Sequence, residues 1–253
     1  MDQKSWLPGA PTAIVAAATA AYSMRKIPTN PERHPRMKKA LMIWGGWGGH
    51  TPRESTERAA GLLRGNGFAV TVADSLDALL DPAAMAGLDL IVLCVTMATL
   101  GTEQEQALLA AVRGGVGLSG WHGGLCDAFR ANPEYQFMTG GQWVAHPGNC
   151  IDYVVNVTRP DDPIMRGIRD FTMPNSEQYY LHVDPGNEVL ATTTFSGEHD
   201  GIAWIKGTVM PVVWKRRWGQ GRVFYSALGH TVQDFAVPEA ALILERGLCW
   251  AAK

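Results

Sequence analysis

Ala40-Leu41-Met42-Ile43-Trp44-Gly45-Gly46-Trp47-Gly48-Gly49-His50-Thr51-Pro52-Arg53-Glu54 decides the fold. A five-residue apolar run of this kind reads as a buried strand. Gly45 to His50 then form a glycine loop, and a helix follows. Thr51 is its expected N-cap, Pro52 its first residue, and Glu54 stands three residues after the cap. Strand, loop and helix in this order are the opening of an α/β unit.

Reading outward, the helix stops at Gly65-Asn66-Gly67 and Phe68 to Val72 is a second strand. Leu76 to Met85 is expected as one short helix and Leu88 to Val95 as a third strand. A capping box at Thr102-Glu103-Gln104-Glu105 opens a helix that ends at Gly114-Gly115. Gly117 to Trp121 is a fourth strand, ending in His122-Gly123-Gly124. This β-α-β-α order predicts a parallel sheet with helices on both faces. Ligands of such sheets bind beyond the carboxyl ends of the strands, so Gly45–His50 and His122–Gly124 mark where a site should lie.

After that the pattern turns β-rich. Cys150 to Val157, Val189 to Phe195, Met210 to Trp214 and Arg222 to Ser226 read as strands. Gly219-Gln220-Gly221 is a tight turn between the last two. Val237 to Ala251 is a closing helix. With no repeat and no linker after Met37, residues 37–253 are expected as one domain with a β-rich extension. Residues 1–36 are rich in Ala, Pro and Thr and read as a leader or extension rather than an export signal, since the charged and apolar regions of a signal are weak.

Composition narrows the function classes. The chain has 253 residues, 46 % hydrophobic and 18 % charged, so it folds around a core. Its net charge of −2 offers no basic excess for nucleic acid. No run approaches the roughly 18 apolar residues of a membrane span. Cys94, Cys126, Cys150 and Cys249 are scattered without a CxxC pair, which points to a reducing, cytoplasmic setting. Cys94, inside an apolar strand, is expected as a core thiol.

The chemistry-bearing residues are histidines beside strand ends and turns: His122, His146, His182 and His230. A histidine flanked by glycine can project into a cleft as base, acid or ligand. Each could equally cap a helix or bond a buried carbonyl. The glycine loop lacks GxGxxG spacing and carries bulky Trp47 and His50, which argues against a nucleotide. There is no Walker motif, HExxH or zinc-ribbon spacing. No cofactor is expected, though a divalent metal held by histidines remote in sequence stays open. Trp44 and Trp121 end apolar strands and read as core, whereas Trp47 in its loop is the best candidate to stack on a sugar ring. Cys126, four residues past the His122 turn, reads as structural rather than as a nucleophile.

A set of motifs resembles a known family. They are Trp44-Gly45-Gly46 with His50, Gly120-Trp121-His122-Gly123-Gly124, Gly140-Gly141 with His146-Pro147, Asp162-Pro163-Ile164, Glu177-Gln178-Tyr179-Tyr180, Pro211-Val212-Val213-Trp214, and Gly219 to His230. Their order is similar to the ThuA-like family, named for trehalose utilisation, over about Lys38 to Ala251. The resemblance implies a flavodoxin-like, class I glutamine amidotransferase-like three-layer sandwich with a parallel central sheet, without the amidotransferase nucleophile. It implies a small-molecule sugar substrate, such as trehalose, a related disaccharide or a 3-keto glycoside. By position it places His122, His146, Glu177 and His230 in the catalytic set, with Trp47, His50, Gly46, Gly123, Tyr180 and His182 about the substrate. Glu177 stands alone where the family often carries an acidic pair, which weakens a two-carboxylate glycosidase mechanism. An acid–base enzyme acting on a sugar leads. A non-catalytic carbohydrate- or partner-binding domain and a metal-dependent hydrolase are the alternatives. Self-association into a homo-oligomer is compatible with all three.

Overall fold

Strand β1 (Lys39–Gly46) is buried from Ala40 to Ile43 and lies between two parallel partners, β2 (Ala69–Ala73) and β3 (Leu90–Thr96). All seven residues of β3 are buried, as expected for a parallel strand covered on both faces. The sheet continues through β4 (Gly117–Trp121) and β11 (Gly221–Ser226), again parallel. Four antiparallel strands extend it: β10 (Val209–Trp218), β9 (Glu188–Thr194), β6 (Cys150–Val157) and β7 (Phe171–Glu177). A separate ribbon pairs β5 (Gly141–Ala145) with β8 (Tyr180–Val183). The computed structural model describes residues 36–253. The leader reading of residues 1–36 thus falls, but for Arg36, outside the described residues.

Two helices, α1 (Pro52–Gly65) and α6 (Pro238–Ala251), pack together against the parallel strands. The right-handed crossover rule puts α3 (Thr102–Arg113) on the opposite face, because β3 to β4 steps the other way along the sheet from β1 to β2. There α3 packs on α5 (Pro133–Thr139). The result is the expected three-layer α/β sandwich with a parallel core and an antiparallel extension. Among the described residues no helix is long and apolar enough to cross a membrane.

Local chemistry departs from expectation in three places. Thr51 precedes α1 but sits at φ 43°, and its side chain caps nothing in the helix. Its hydroxyl instead accepts the Val232 N–H at 2.9 Å, pinning the helix start to the loop after β11. The box expected at Thr102 begins one residue earlier: Gly101 N–H donates to Gln104 Oε1 at 3.0 Å. The helix expected over Leu76 to Met85 is split into a 3₁₀ turn, Leu76–Leu79, and α2 (Pro82–Met85). Pro82 has no N–H to continue the first piece, and Asp81 caps the second by accepting the Ala83 N–H.

Cys94 and Cys126 are buried, and burial pushes the Cys94 thiol up to about 12. Trp121 and Trp214 are fully buried, and Trp214 donates its indole N–H to the Thr139 carbonyl at 3.0 Å.

Candidate functional site

The carboxyl ends of β1, β3, β4 and β11 share one edge of the sheet, because Gly46 is in register with Thr96 and Trp121 with Ser226. Each end delivers a polar side chain there. His50 follows β1, Thr96 closes β3, His122 follows β4, and His230 lies four residues past β11. Close backbone approach makes this possible. A Cβ on Gly46, at φ +75°, would lie 1.8 Å from the Thr96 carbonyl oxygen. One on Gly123 would lie 2.5 Å from the His50 ring.

His122 holds the sharp turn between β4 and the short α4 (Gly123–Cys126), at φ 48° and ψ −140°. That conformation is strained for a residue with a Cβ, at about 1–3 kcal/mol. Its amide donates to Ser226 O at 2.7 Å, and its carbonyl accepts from the first turn of α4. The strain is held in place by the two strands on either side and aims the imidazole outward. Cys126, at the end of α4, is buried, and burial pushes its thiol well above the usual range.

The carboxylate comes from elsewhere. Glu177 is the last residue of β7, and its two oxygens are ringed by imidazoles. His122 Nε2 lies at 2.9 Å, His230 Nδ1 at 3.2 Å and His50 Nε2 at 3.7 Å, all from Oε2. His146, just past β5, reaches Oε1 with Nε2 at 3.6 Å. Behind the ring, His122 Nδ1 meets the Ala227 carbonyl at 2.7 Å and His50 Nδ1 meets Thr96 Oγ1 at 2.9 Å. The His230 amide donates to Asp234.

Burial works to raise the Glu177 carboxyl, but contacts with His122, His230 and His50 override it and hold the group well below the usual carboxylate range. Burial pushes His122 down to about 3, against the opposing pull of the Glu177 carboxylate and the Ala227 carbonyl. The Ala227 carbonyl accepts only, so Nδ1 carries a proton. Nε2 faces the carboxylate at 2.9 Å.

A cavity of about 200 Å³ opens onto this group, walled by Trp47, Met97, Arg130, Trp143, His146 and Tyr179. It is smaller than the roughly 300–1,000 Å³ of drug-sized sites, room for one small ring. Trp47 is 46 % exposed and stands edge-on to His50. Tyr179 stacks on His122 with centroids 3.8 Å apart. Arg130 is clamped by Asp127 at 2.6 and 2.9 Å and lies over the Trp143 ring. A larger open groove of about 700 Å³ beside β7 carries only Asp234 as a titratable group.

The structure brings together His50, His122, His146, Glu177 and His230, with Trp47, Gly46 and Gly123 beside them. It does not bring Tyr180 or His182. Tyr180 packs on Phe195, and His182 is exposed on β8 against Gln142. Glu177 closes β7 and Tyr180 opens β8, so the chain breaks between them at Gln178-Tyr179. The cavity takes Tyr179 together with Glu177, and sequence reasoning passed over Tyr179. Trp143, Arg130 and Thr96 were also missed. For Thr96 the signal was available, since it closes a strand at the binding edge.

A family model described as "ThuA: Trehalose utilisation" matches residues 39–251. Among curated proteins none matches. Solved structures do. A ThuA-like protein from Bacteroides uniformis aligns with a TM-score of 0.71 at 18 % identity, over 89 % of this chain and 95 % of that one. A ThuA-like protein from Parabacteroides merdae aligns at 0.69 and 19 % identity, over 86 % and 91 %. A cytoplasmic protein of Salmonella typhimurium aligns at 0.59 and 14 % identity, over 85 % and 100 %. At these identities the likeness is one of fold.

Proposed function

Because the chain belongs to the ThuA, trehalose-utilisation family, we propose that it is an enzyme of disaccharide use that moves protons on a sugar or 3-keto glycoside. One observation carries the reading: a single buried carboxylate, met by four imidazoles at 2.9–3.7 Å, opens onto a small aromatic-walled cavity.

A 3-keto glycoside carries an acidic C–H beside its carbonyl. A base takes that proton, and the electron pair moves onto the carbonyl oxygen as an enolate. The pair then returns to expel the glycosidic oxygen as leaving group, which recovers the proton from the base. Without that expulsion, reprotonation gives an isomer. No redox partner is needed.

His146 is the proton-transfer group. Its side chain is 29 % exposed and lines the cavity, whereas those of His50, His122 and His230 are at most 14 % exposed. Nδ1 of His146 is buried without a partner, so Nε2, 3.6 Å from Glu177 Oε1, is the basic atom, and the carboxylate stabilises the imidazolium that forms when it takes the proton. The cavity takes one ring, so the second sugar of a disaccharide lies over the mouth, against Trp47. The protein works in the cytoplasm, a setting that its free cysteines suit.

The test is solvent exchange in D₂O. Wild-type protein should wash deuterium into the carbon beside the carbonyl of 3-ketotrehalose and not into trehalose. His146→Ala should lose the exchange. Wild-type protein that neither exchanges nor converts any keto glycoside, yet binds a sugar, would refute catalysis and leave a carbohydrate-binding domain.

A further inference from the structure

We infer that His50, His122, His230 and Glu177 form the binding site of one divalent first-row transition-metal ion, of zinc-like rather than magnesium-like chemistry. The inference deepens the proton-transfer reading of the same site and supplies the Lewis acid for its enolate oxygen.

The donor geometry is the first support. One ligand atom from each residue lies within 4.8 Å of all the others. Around Glu177 Oε2 the nitrogens stand at 2.9, 3.2 and 3.7 Å. Four donors about 2.1 Å from a tetrahedral ion are about 3.4 Å apart, so the spacing brackets that of a filled shell.

The hydrogen-bond inventory is the second. The His122 Nδ1 proton goes to the Ala227 carbonyl, so a neutral imidazole there points its Nε2 lone pair at a carboxylate oxygen 2.9 Å away. Two acceptors at that distance repel unless a positive charge lies between them. His230 Nδ1 is buried, aimed at the same oxygen, and makes no hydrogen bond. A single shared proton would satisfy one of these pairs. A cation satisfies all of them at once.

The outer contacts are the third. Ligating imidazoles are commonly fixed through their second nitrogen by a carbonyl, hydroxyl or carboxylate. His122 has Ala227 O and His50 has Thr96 Oγ1. The His230 backbone is tied to Asp234, which in turn receives the Ser176 hydroxyl. Three imidazoles and one carboxylate are borderline donors that favour Zn²⁺, Co²⁺, Fe²⁺ or Mn²⁺ over the all-oxygen shells of Mg²⁺ or Ca²⁺. His146 faces the other carboxylate oxygen and stays outside the shell.

The full chain, prepared without a metal-binding tag and stripped with chelator, is titrated with Co²⁺ and read by visible absorption. Zn²⁺ competition and thermal unfolding are followed in parallel. One equivalent of Co²⁺ should develop ligand-field bands, Zn²⁺ should displace it, and Tm should rise. His50→Ala and Glu177→Gln should weaken binding at least a hundredfold, with circular dichroism reporting the fold. His146→Ala should bind as wild type does. Absence of stoichiometric uptake of either ion, or equal affinity in the ligand variants, would overturn the site. Deuterium exchange by chelated, metal-free protein that takes up no ion would overturn this inference and leave the proton-transfer reading standing. Tight uptake without exchange would do the reverse.

Discussion

Thr96→Val tests whether His50 is held by its neighbour or merely packed near it. Thr96 is 1 % exposed and His50 6 %, and a 2.9 Å hydrogen bond joins the two buried side chains. Valine fills the same volume, so no cavity term enters. The backbone is untouched, and the Thr96 carbonyl still accepts the Trp47 N–H at 3.0 Å. What is lost is the hydrogen bond, and His50 Nδ1 is left buried without a partner, a cost of about 1–3 kcal/mol. For a domain of this size that is a fall in Tm of roughly 2–4 °C per kcal/mol. Thr96→Ser is the control. It keeps the hydroxyl and drops only the methyl, at about 0.5–1.5 kcal/mol by analogy with other single-methyl deletions. Thermal and urea unfolding measure both variants, and ¹⁵N imidazole shifts report the His50 tautomer. Thr96→Val should lose more stability than Thr96→Ser and alone disturb the tautomer. Equal stability in the valine variant and wild type, with an unchanged His50 spectrum, would refute the idea that this hydroxyl orients the ring.

Three other outcomes follow from the same geometry. Gly46→Ala forces a Cβ to 1.8 Å from the Thr96 carbonyl at a positive φ and should destabilise by about 2–5 kcal/mol in urea unfolding, whereas Gly45→Ala, with open space around it, should stay within about 1 kcal/mol. Trp47→Ala should raise KM for a keto glycoside by roughly 3–10-fold, the worth of one aromatic face, with Tm nearly unchanged because the side chain is half exposed. Iodoacetamide at pH 8.5 should modify Cys150 and Cys249 at most in the folded protein. Cys94, held up at about 12, stays a thiol until the pH approaches that value and reacts only after unfolding, as does buried Cys126; mass spectrometry of native and urea-treated samples reads the difference.

Much of the parallel half was legible in sequence, because its signals are local. A buried apolar run, a glycine loop and a helix start with Pro52 lie within fifteen residues, and His50 and His122 follow from where such strands end. Gly219 to His230 likewise placed β11 and its histidine. The antiparallel half was legible only as strand propensity. Its partners are set by long-range pairing, so β5, β7 and β8 left no local mark strong enough to bound them. Tyr180 and His182 were placed by motif adjacency, whereas β8 begins at Tyr180 and it is Tyr179, between the strands, that lines the cavity with Glu177. Thr51 shows the limit of capping rules: the residue type was right, but a positive φ turned its hydroxyl toward Val232.

The Glu177 position carries a physical consequence for how the two halves depend on each other. In the strand order β4, β11, β10, β9, β6 and β7, five steps separate His122 from Glu177. A flat sheet would hold their strands about 24 Å apart. The side chains touch at 2.9 Å, so the antiparallel extension has to coil back over the carboxyl edge of the parallel core. Twist of about 20–25° per strand supplies part of that turn. The register shifts at Pro211/Val213, Val213/Trp214 and Ile151/Tyr153 supply sharper bends. The chemistry is therefore split by design of the fold. The parallel half holds three imidazoles at its strand ends, His122 in a strained backbone, and the extension carries the one carboxylate that unites them. Register in β6 and β7 is part of the site as much as any ligand is, because a slip of one residue would present Ser176 or Gln178 to the histidines in place of Glu177.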